Sequence, residues 1–212
     1  MHRAGEWILW DTGIDDEVAK AAGGKIIAHE LRGIVVRTLV EQLSDVGIKA
    51  SDVRRIILSH GHFDHVGNAR LLTHAKWHIQ QREHDAMFGE DYAQYGYTPP
   101  LYEALKHADV QFMDGDLDLF GDGAVRVIDT QGHTPGHCSL LVKLQRTGPV
   151  LLSADVAHYH YNLKRRNVPS MNSDPEASRR SMDRIVTENA TLWLNHDAAQ
   201  TASLKHAPAF YD

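Results

Sequence analysis

Hydrophobic positions along the chain fall into short runs of strand type, separated by stretches of helical period. Glu6-Trp7-Ile8-Leu9-Trp10 predicts a strand that closes on Asp11-Thr12-Gly13. Apolar residues recur at helical spacing over residues 15–22 and again over 30–46, notably Ile34, Val35, Leu39, Val40 and Leu43, and Gly47 ends the second helix. Ser51 and Asp52 start a turn into a strand at 56–58, Ile-Ile-Leu, which runs straight into a polar loop. Trp77-His78-Ile79 reads as the next strand, followed by the start of a helix.

The second half is richer in strand signals. Residues 125–128 alternate after the turn Gly121-Asp122-Gly123, and 139–144 with 150–152 predict a hairpin across Thr147-Gly148-Pro149. A helix follows over about 175–189, with Asp174 as its N-cap and Pro175 in its first turn, and then the strand 191–194. Helix and strand alternate in the manner of a layered α/β fold. Between the halves, residues 87–115 are aromatic and interrupted by proline; they either pack or form an apolar wall for a ligand.

Length and composition narrow this further. The 212 residues fit one domain, 1–212, with a sizeable core. A net charge of −6, with no basic run beyond Lys164-Arg165-Arg166, lacks the footprint of a nucleic-acid binder. The single cysteine, Cys138, excludes an internal disulfide framework, and neither a secretory leader nor an apolar run of about 18 residues is evident. A soluble cytoplasmic protein without membrane partners is therefore expected, with homodimerisation open. The unusual feature is the count of histidines, 15.

Three of them crowd the loop after 56–58. In Ser59-His60-Gly61-His62-Phe63-Asp64-His65 the donors suit a divalent ion such as Zn²⁺, but one ion cannot use them all. In an extended loop His60 and His62 point the same way and grip one ion, while Asp64 and His65 reach a second. Three later strand-like runs end in further donors: 127–128 leads to His133, 151–152 to Asp155, and 192–194 to His196. Strand ends gather at one edge of such sheets. A two-metal site follows, in which His60, His62 and His133 hold one ion, Asp64, His65 and His196 the other, and Asp155 bridges. His137 packs or supports rather than ligates.

The pattern H-x-H-x-D-H at 60–65 resembles the signature of the metallo-β-lactamase superfamily. All seven donors match, in chain order, those of its dinuclear members. Within it the chain resembles most the N-acyl-homoserine lactonases, the quorum-quenching branch, through Asp11-Thr12-Gly13, 59–68, 130–139, Ser153-Ala154-Asp155 and Asn195-His196-Asp197. The resemblance implies a four-layer αββα sandwich in which Asp11 supports the metal loop. The Asp-Thr-Gly is not that of an aspartic protease, since no second copy occurs. The family places one or two strands and a substrate-contacting segment ahead of the point where this chain begins, so a truncated or mis-assigned start is expected. It also places a tyrosine three residues after the bridging aspartate, where this chain has His158 followed by Tyr159.

The implied chemistry is hydrolysis of an N-acyl-homoserine lactone. Two divalent ions roughly 3.5–4 Å apart, with Zn²⁺ expected, lower the pKa of a bridging water, and the hydroxide attacks the lactone carbonyl. Asp64 orients it and passes its proton to the leaving oxygen, while His158 or Tyr159 steadies the oxyanion. The same ligand set serves other small-lactone hydrolases and glyoxalase II-like thioesterases, but the latter carry a helical extension beyond the 16 residues left after His196. The β-lactamases generally lack an aspartate at 155. A di-iron redox module would favour carboxylate-richer ligands and an electron-carrier domain.

Overall fold

The computed structural model describes the backbone of every residue but Ala4, His29 and Glu30, and the side chains of all but these and the rest of 26–34. In chain order the elements are β1 (His2–Arg3), β2 (Glu6–Trp10), α1 (Asp16–Ala21), β3 (Lys25–Ala28), β4 (Leu31–Ile34), α2 (Leu39–Asp45), β5 (Val53–Ile57), α3 (Phe63–Val66), β6 (Lys76–Gln80) and α4 (Gln81–Phe88). There follow β7 (Asp109–Met113), β8 (Leu117–Asp118), β9 (Val125–Asp129), β10 (Cys138–Leu144), β11 (Gly148–Leu152), α5 (His160–Arg165), α6 (Pro175–Thr187), β12 (Thr191–Trp193) and α7 (Ala198–Ser203). One sheet has the order β1-β2-β5-β6-β7, a second β12-β11-β10-β9-β8, and β3 and β4 form a two-stranded sheet among the described residues.

The contacts divide the chain into two compact units, Met1–His78 with Tyr97–Gln111, and Ile79–Gly96 with Phe112–Asp212. In the first, β2, β5 and β6 run parallel, with Leu9 opposite Ile56 and Ile57 opposite His78. A strand flanked on both sides in a parallel sheet is covered on both faces, which is why the run Ile56-Ile57-Leu58, at the end of β5 and one residue past it, is apolar throughout, each residue at most 1% exposed. In the second unit, β9, β10 and β11 are antiparallel and β12 joins parallel to β11. The apolar stripe of α6, Met182 and Ile185, packs on Ile128, Leu141 and Leu151 of that sheet. Burying such side chains contributes about 1.5–3 kcal/mol each.

Two expectations need correction. The helix expected over 30–46 is confined to Leu39–Asp45, and Leu31–Ile34 is a strand; Glu30 lies outside the described residues. Thr38 starts the helix, because its hydroxyl accepts the Glu41 N–H at 3.2 Å while the Glu41 carboxylate accepts the Thr38 N–H at 2.8 Å. Upstream of that cap the β-branched run at 34–36 favours an extended chain.

The second correction concerns the loop after β5, which is extended only as far as His62. That residue, with extended φ/ψ, caps the helical turn α3, so Asp64 and His65 sit on a helix. The strand β7 and helices α5 and α7 had not been expected. Residues 87–115, expected either to pack or to form an apolar wall, hold short 3₁₀ turns before β7, with Tyr97 and Tyr102 buried and Tyr92 and Phe112 exposed.

Candidate metal centre

In the first unit β5 delivers Ser59 and His60, both fully buried, at its C-terminal end. The alternation expected of an extended chain holds at this point: His60 Nε2 and His62 Nδ1 face one another at 3.0 Å. On α3, His65 Nε2 lies 3.7 Å from Asp64 Oδ2. The ring of Tyr97 lies beside His62, with centroids 5.8 Å apart.

Asp11 organises these imidazoles, as expected of it. Its carboxylate accepts the Ser59 N–H at 2.7 Å, the Ser59 hydroxyl at 2.8 Å and His65 Nδ1 at 2.8 Å. With its hydrogen given to Asp11, Ser59 Oγ accepts from His60 Nδ1 at 2.9 Å. Both imidazoles therefore carry their proton on Nδ1 and keep the Nε2 lone pair, the form a metal needs. The backbone at Asp11 is left-handed, φ 56°, a conformation that aspartate tolerates better than most residues. The loop is tied to this segment by Thr12 N–H to His65 O at 2.6 Å and Gly67 N–H to Gly13 O at 2.8 Å. A Cβ at Gly67 would stand 2.3 Å from Asp15 N, so only glycine fits.

In the second unit Asp155, 5% exposed, is the focus. Its Oδ2 lies 3.1 Å from His196 Nε2, 3.4 Å from His158 Nε2 and 3.7 Å from His133 Nε2. Two donors each about 2.0–2.1 Å from a tetrahedral Zn²⁺ stand about 3.3 Å apart, so these separations suit ligands around an ion. His133, Asp155 and His158 each offer a ligand atom within 4.8 Å of the others'. The donor set, imidazole nitrogens with a few carboxylates, fits divalent zinc.

The two residues offered for the oxyanion differ. His158 Nε2 is buried and, among the described residues, makes no hydrogen bond, the Asp155 carboxylate 3.4 Å away being its ionic neighbour, whereas Tyr159 is 45% exposed with its ring 6.4 Å from that of His158. His137 supports, as expected: with Nδ1 it donates to Thr130 O at 3.0 Å, and with Nε2 it accepts the Asp155 N–H at 2.9 Å.

Three supporting residues had not been singled out. Ser59 relays Asp11 to His60, and its place beside the histidine motif was the available signal. Glu83, fully buried on α4, accepts the Thr134 hydroxyl at 2.7 Å and the Gly136 N–H at 2.8 Å, holding the turn between His133 and His137. Asn172 Oδ1 meets His133 Nδ1 at 3.0 Å. Neither Glu83 nor Asn172 belongs to a motif.

Residues 2–192 match the metallo-beta-lactamase superfamily. The N-acyl homoserine lactonase AttM of Azorhizobium caulinodans is 32% identical over 184 residues, 82% of this chain and 69% of that protein. The lactonase AiiA of Bacillus thuringiensis subsp. kurstaki is 28% identical over 96% of this chain and 81% of its own. The fold is that of an N-acyl homoserine lactone hydrolase solved with the product N-hexanoyl-L-homoserine at its catalytic metal center. That structure superposes with a TM-score of 0.81 at 28% identity, over 97% of this chain and 82% of its own. With a match that spans both units, this chain belongs to the metallo-beta-lactamase superfamily.

Proposed function

We propose that the protein is a metal-dependent hydrolase that opens the lactone ring of N-acyl homoserine lactones, residues 1–212 working as one hydrolase domain. What carries the proposal is a full set of seven donors in a chain that is 32% identical to one N-acyl homoserine lactonase and 28% identical to another. In the proposed site His60, His62 and His133 would hold one divalent ion and Asp64, His65 and His196 a second, with Asp155 a donor available to either, and zinc is the metal these donors suit best. Bound there, the ions supply Lewis-acid polarisation and a hydroxide at neutral pH.

The chain's own residues do the rest. Asp11 and Ser59 hold His65 and His60 with their Nε2 lone pairs available. Water oxygen adds to the lactone carbonyl carbon, the ring C–O bond breaks, and Asp64 carries the proton from the attacking water to the departing ring oxygen. The product is the open N-acyl-homoserine carboxylate. His158 is the proposed donor to the developing oxyanion, its buried Nε2 beside Asp155 supporting it over the more exposed Tyr159.

Among the described residues no helix is long and apolar enough to cross a membrane. We place the enzyme in the cytoplasm, where a single buried cysteine suits the reducing conditions, as a monomer or homodimer acting on a small molecule.

A panel of acyl-homoserine lactones, an unsubstituted γ-lactone, a thioester and a cephalosporin, assayed with metal-loaded protein, tests the proposal. The acylated lactones should be the preferred substrates. Equal rates for acylated and bare lactones, or preference for the thioester or β-lactam, would remove the lactonase assignment and leave a hydrolase of other specificity.

A further inference from the structure

Asn172 lies outside every motif, in the turn that leads into α6, yet it is 8% exposed and both ends of its amide are engaged. Oδ1 faces His133 Nδ1 at 3.0 Å, and Nδ2 faces Ser178 Oγ at 2.9 Å. An amide can be turned end for end, so its orientation must come from the neighbours. Ser178 decides it. The serine hydroxyl donates its one hydrogen to the Asp174 carbonyl at 2.8 Å, one helical turn back. Its oxygen is left as an acceptor, so the NH₂ of Asn172 must point to Ser178 and the amide oxygen to His133. His133 Nδ1 then has to carry the proton, and the lone pair falls on Nε2, the atom 3.7 Å from Asp155 Oδ2.

The backbone around His133 is clamped to the same place. His133 O accepts the Ser173 N–H at 3.1 Å, and Gly132 O accepts the Asp174 N–H at 2.9 Å. Gly132 itself sits at φ 131°, where a Cβ would stand 2.3 Å from Ser178 N. With the chain held on either side, the remaining freedom is rotation of the imidazole about its own bond. Asn172 opposes that rotation.

We propose that Asn172, oriented by Ser178, is a positioning residue that fixes the tautomer and ring orientation of His133 and so presents Nε2 to a metal. The proposal rests on the two-metal reading of the site, but its tests do not use a lactone. Nitrogen-15 NMR of the metal-free full chain should show His133 in the Nδ1–H form; the Nε2–H form in the parent protein would overturn the assignment.

Zinc affinity, measured by competition with a chromophoric chelator, gives the second readout. Asn172→Leu, which removes the acceptor, should weaken zinc binding about ten- to a hundredfold, the usual effect of losing a partner of a metal-bound histidine. Asn172→Asp keeps an acceptor toward Nδ1 and should return affinity to within about threefold of the parent, which a role in packing alone would not do. Equal loss in the Leu and Asp variants, or parent-like affinity in the Leu variant, would refute the positioning role. A parent that binds no zinc but shows the Nδ1–H form would refute the metal reading and leave the orientation by Asn172 standing.

Discussion

Replacing Asp11 separates support of the metal loop from the chemistry of the ligands. Its carboxylate receives three hydrogen bonds from Ser59 and His65, all between 2.7 and 2.8 Å. Asp11→Ala orphans the Ser59 N–H and weakens the hold on His65 Nδ1; at about 1–3 kcal/mol per buried donor, that is roughly 2–6 kcal/mol. Alanine at φ 56° adds about 1–2 kcal/mol, so this variant risks unfolding.

Asp11→Asn is the informative change. The amide oxygen can still accept the Ser59 N–H, and asparagine tolerates the left-handed backbone. Its NH₂, however, faces the Ser59 hydroxyl and His65 Nδ1, donor against donor. The serine hydroxyl can rotate away, which leaves one buried donor badly met and a loss of roughly 1–3 kcal/mol in urea unfolding of the metal-free chain. Zinc affinity should fall about ten- to a hundredfold, because His65 no longer has a reason to keep its proton on Nδ1. An Asn variant with parent stability and parent zinc affinity would refute the idea that Asp11 sets the protonation of these imidazoles.

His158→Phe should slow ring opening roughly ten- to a thousandfold, the cost of one oxyanion donor, while Tyr159→Phe stays near the parent rate; the reverse result in steady-state kinetics would exchange their roles. The value of kcat/KM should climb about fourfold for each CH₂ added to the acyl chain, at about 0.8 kcal/mol per buried methylene, until the pocket is full, and a flat series would exclude an apolar acyl site. His78, 1% exposed, has its pKa pushed down to about 4 by burial and by the neighbouring charges of Arg55 and Lys76. Its folded pKa lies below the unfolded value, so the unfolded chain binds the extra proton between pH 6.5 and about 4. That contribution to stability is complete above this window and shrinks by roughly 3 kcal/mol as the pH falls through it. His78→Gln should flatten this part of the unfolding profile in urea titrations, and an unchanged slope would show that His78 is not its source.

The parts legible in the sequence were those with dense local signals. The donors of 59–65 lie within one loop, and the strands β2, β5, β9, β10 and β11 carry apolar runs or alternation bounded by turn residues. The failures have physical causes. At 30–46 the helical spacing of apolar residues is interrupted by Gly33 and by β-branched residues, and the true start is set by a side-chain cap at Thr38 that periodicity does not register. The loop after His62 tightens into α3 because its carbonyl accepts the N–H groups of His65 and Val66, each at 3.0 Å, a choice that a list of donors does not reveal. Glu83 and Asn172 are remote in sequence from the histidines they serve, 51 residues separating Glu83 from Thr134 and 39 separating Asn172 from His133. Only folding brings them together.

We propose that lactone opening depends on two divalent ions, for which Asp155 would be a shared donor. Metal-free protein should be titrated with zinc while acid release from an N-acyl homoserine lactone is followed in a pH-stat. Activity should be negligible without metal, rise with added zinc and level off at two ions per chain, and Asp155→Ala should remove most of it. Full activity at one ion per chain or none, or an Asp155→Ala variant as active as its parent, would contradict the account.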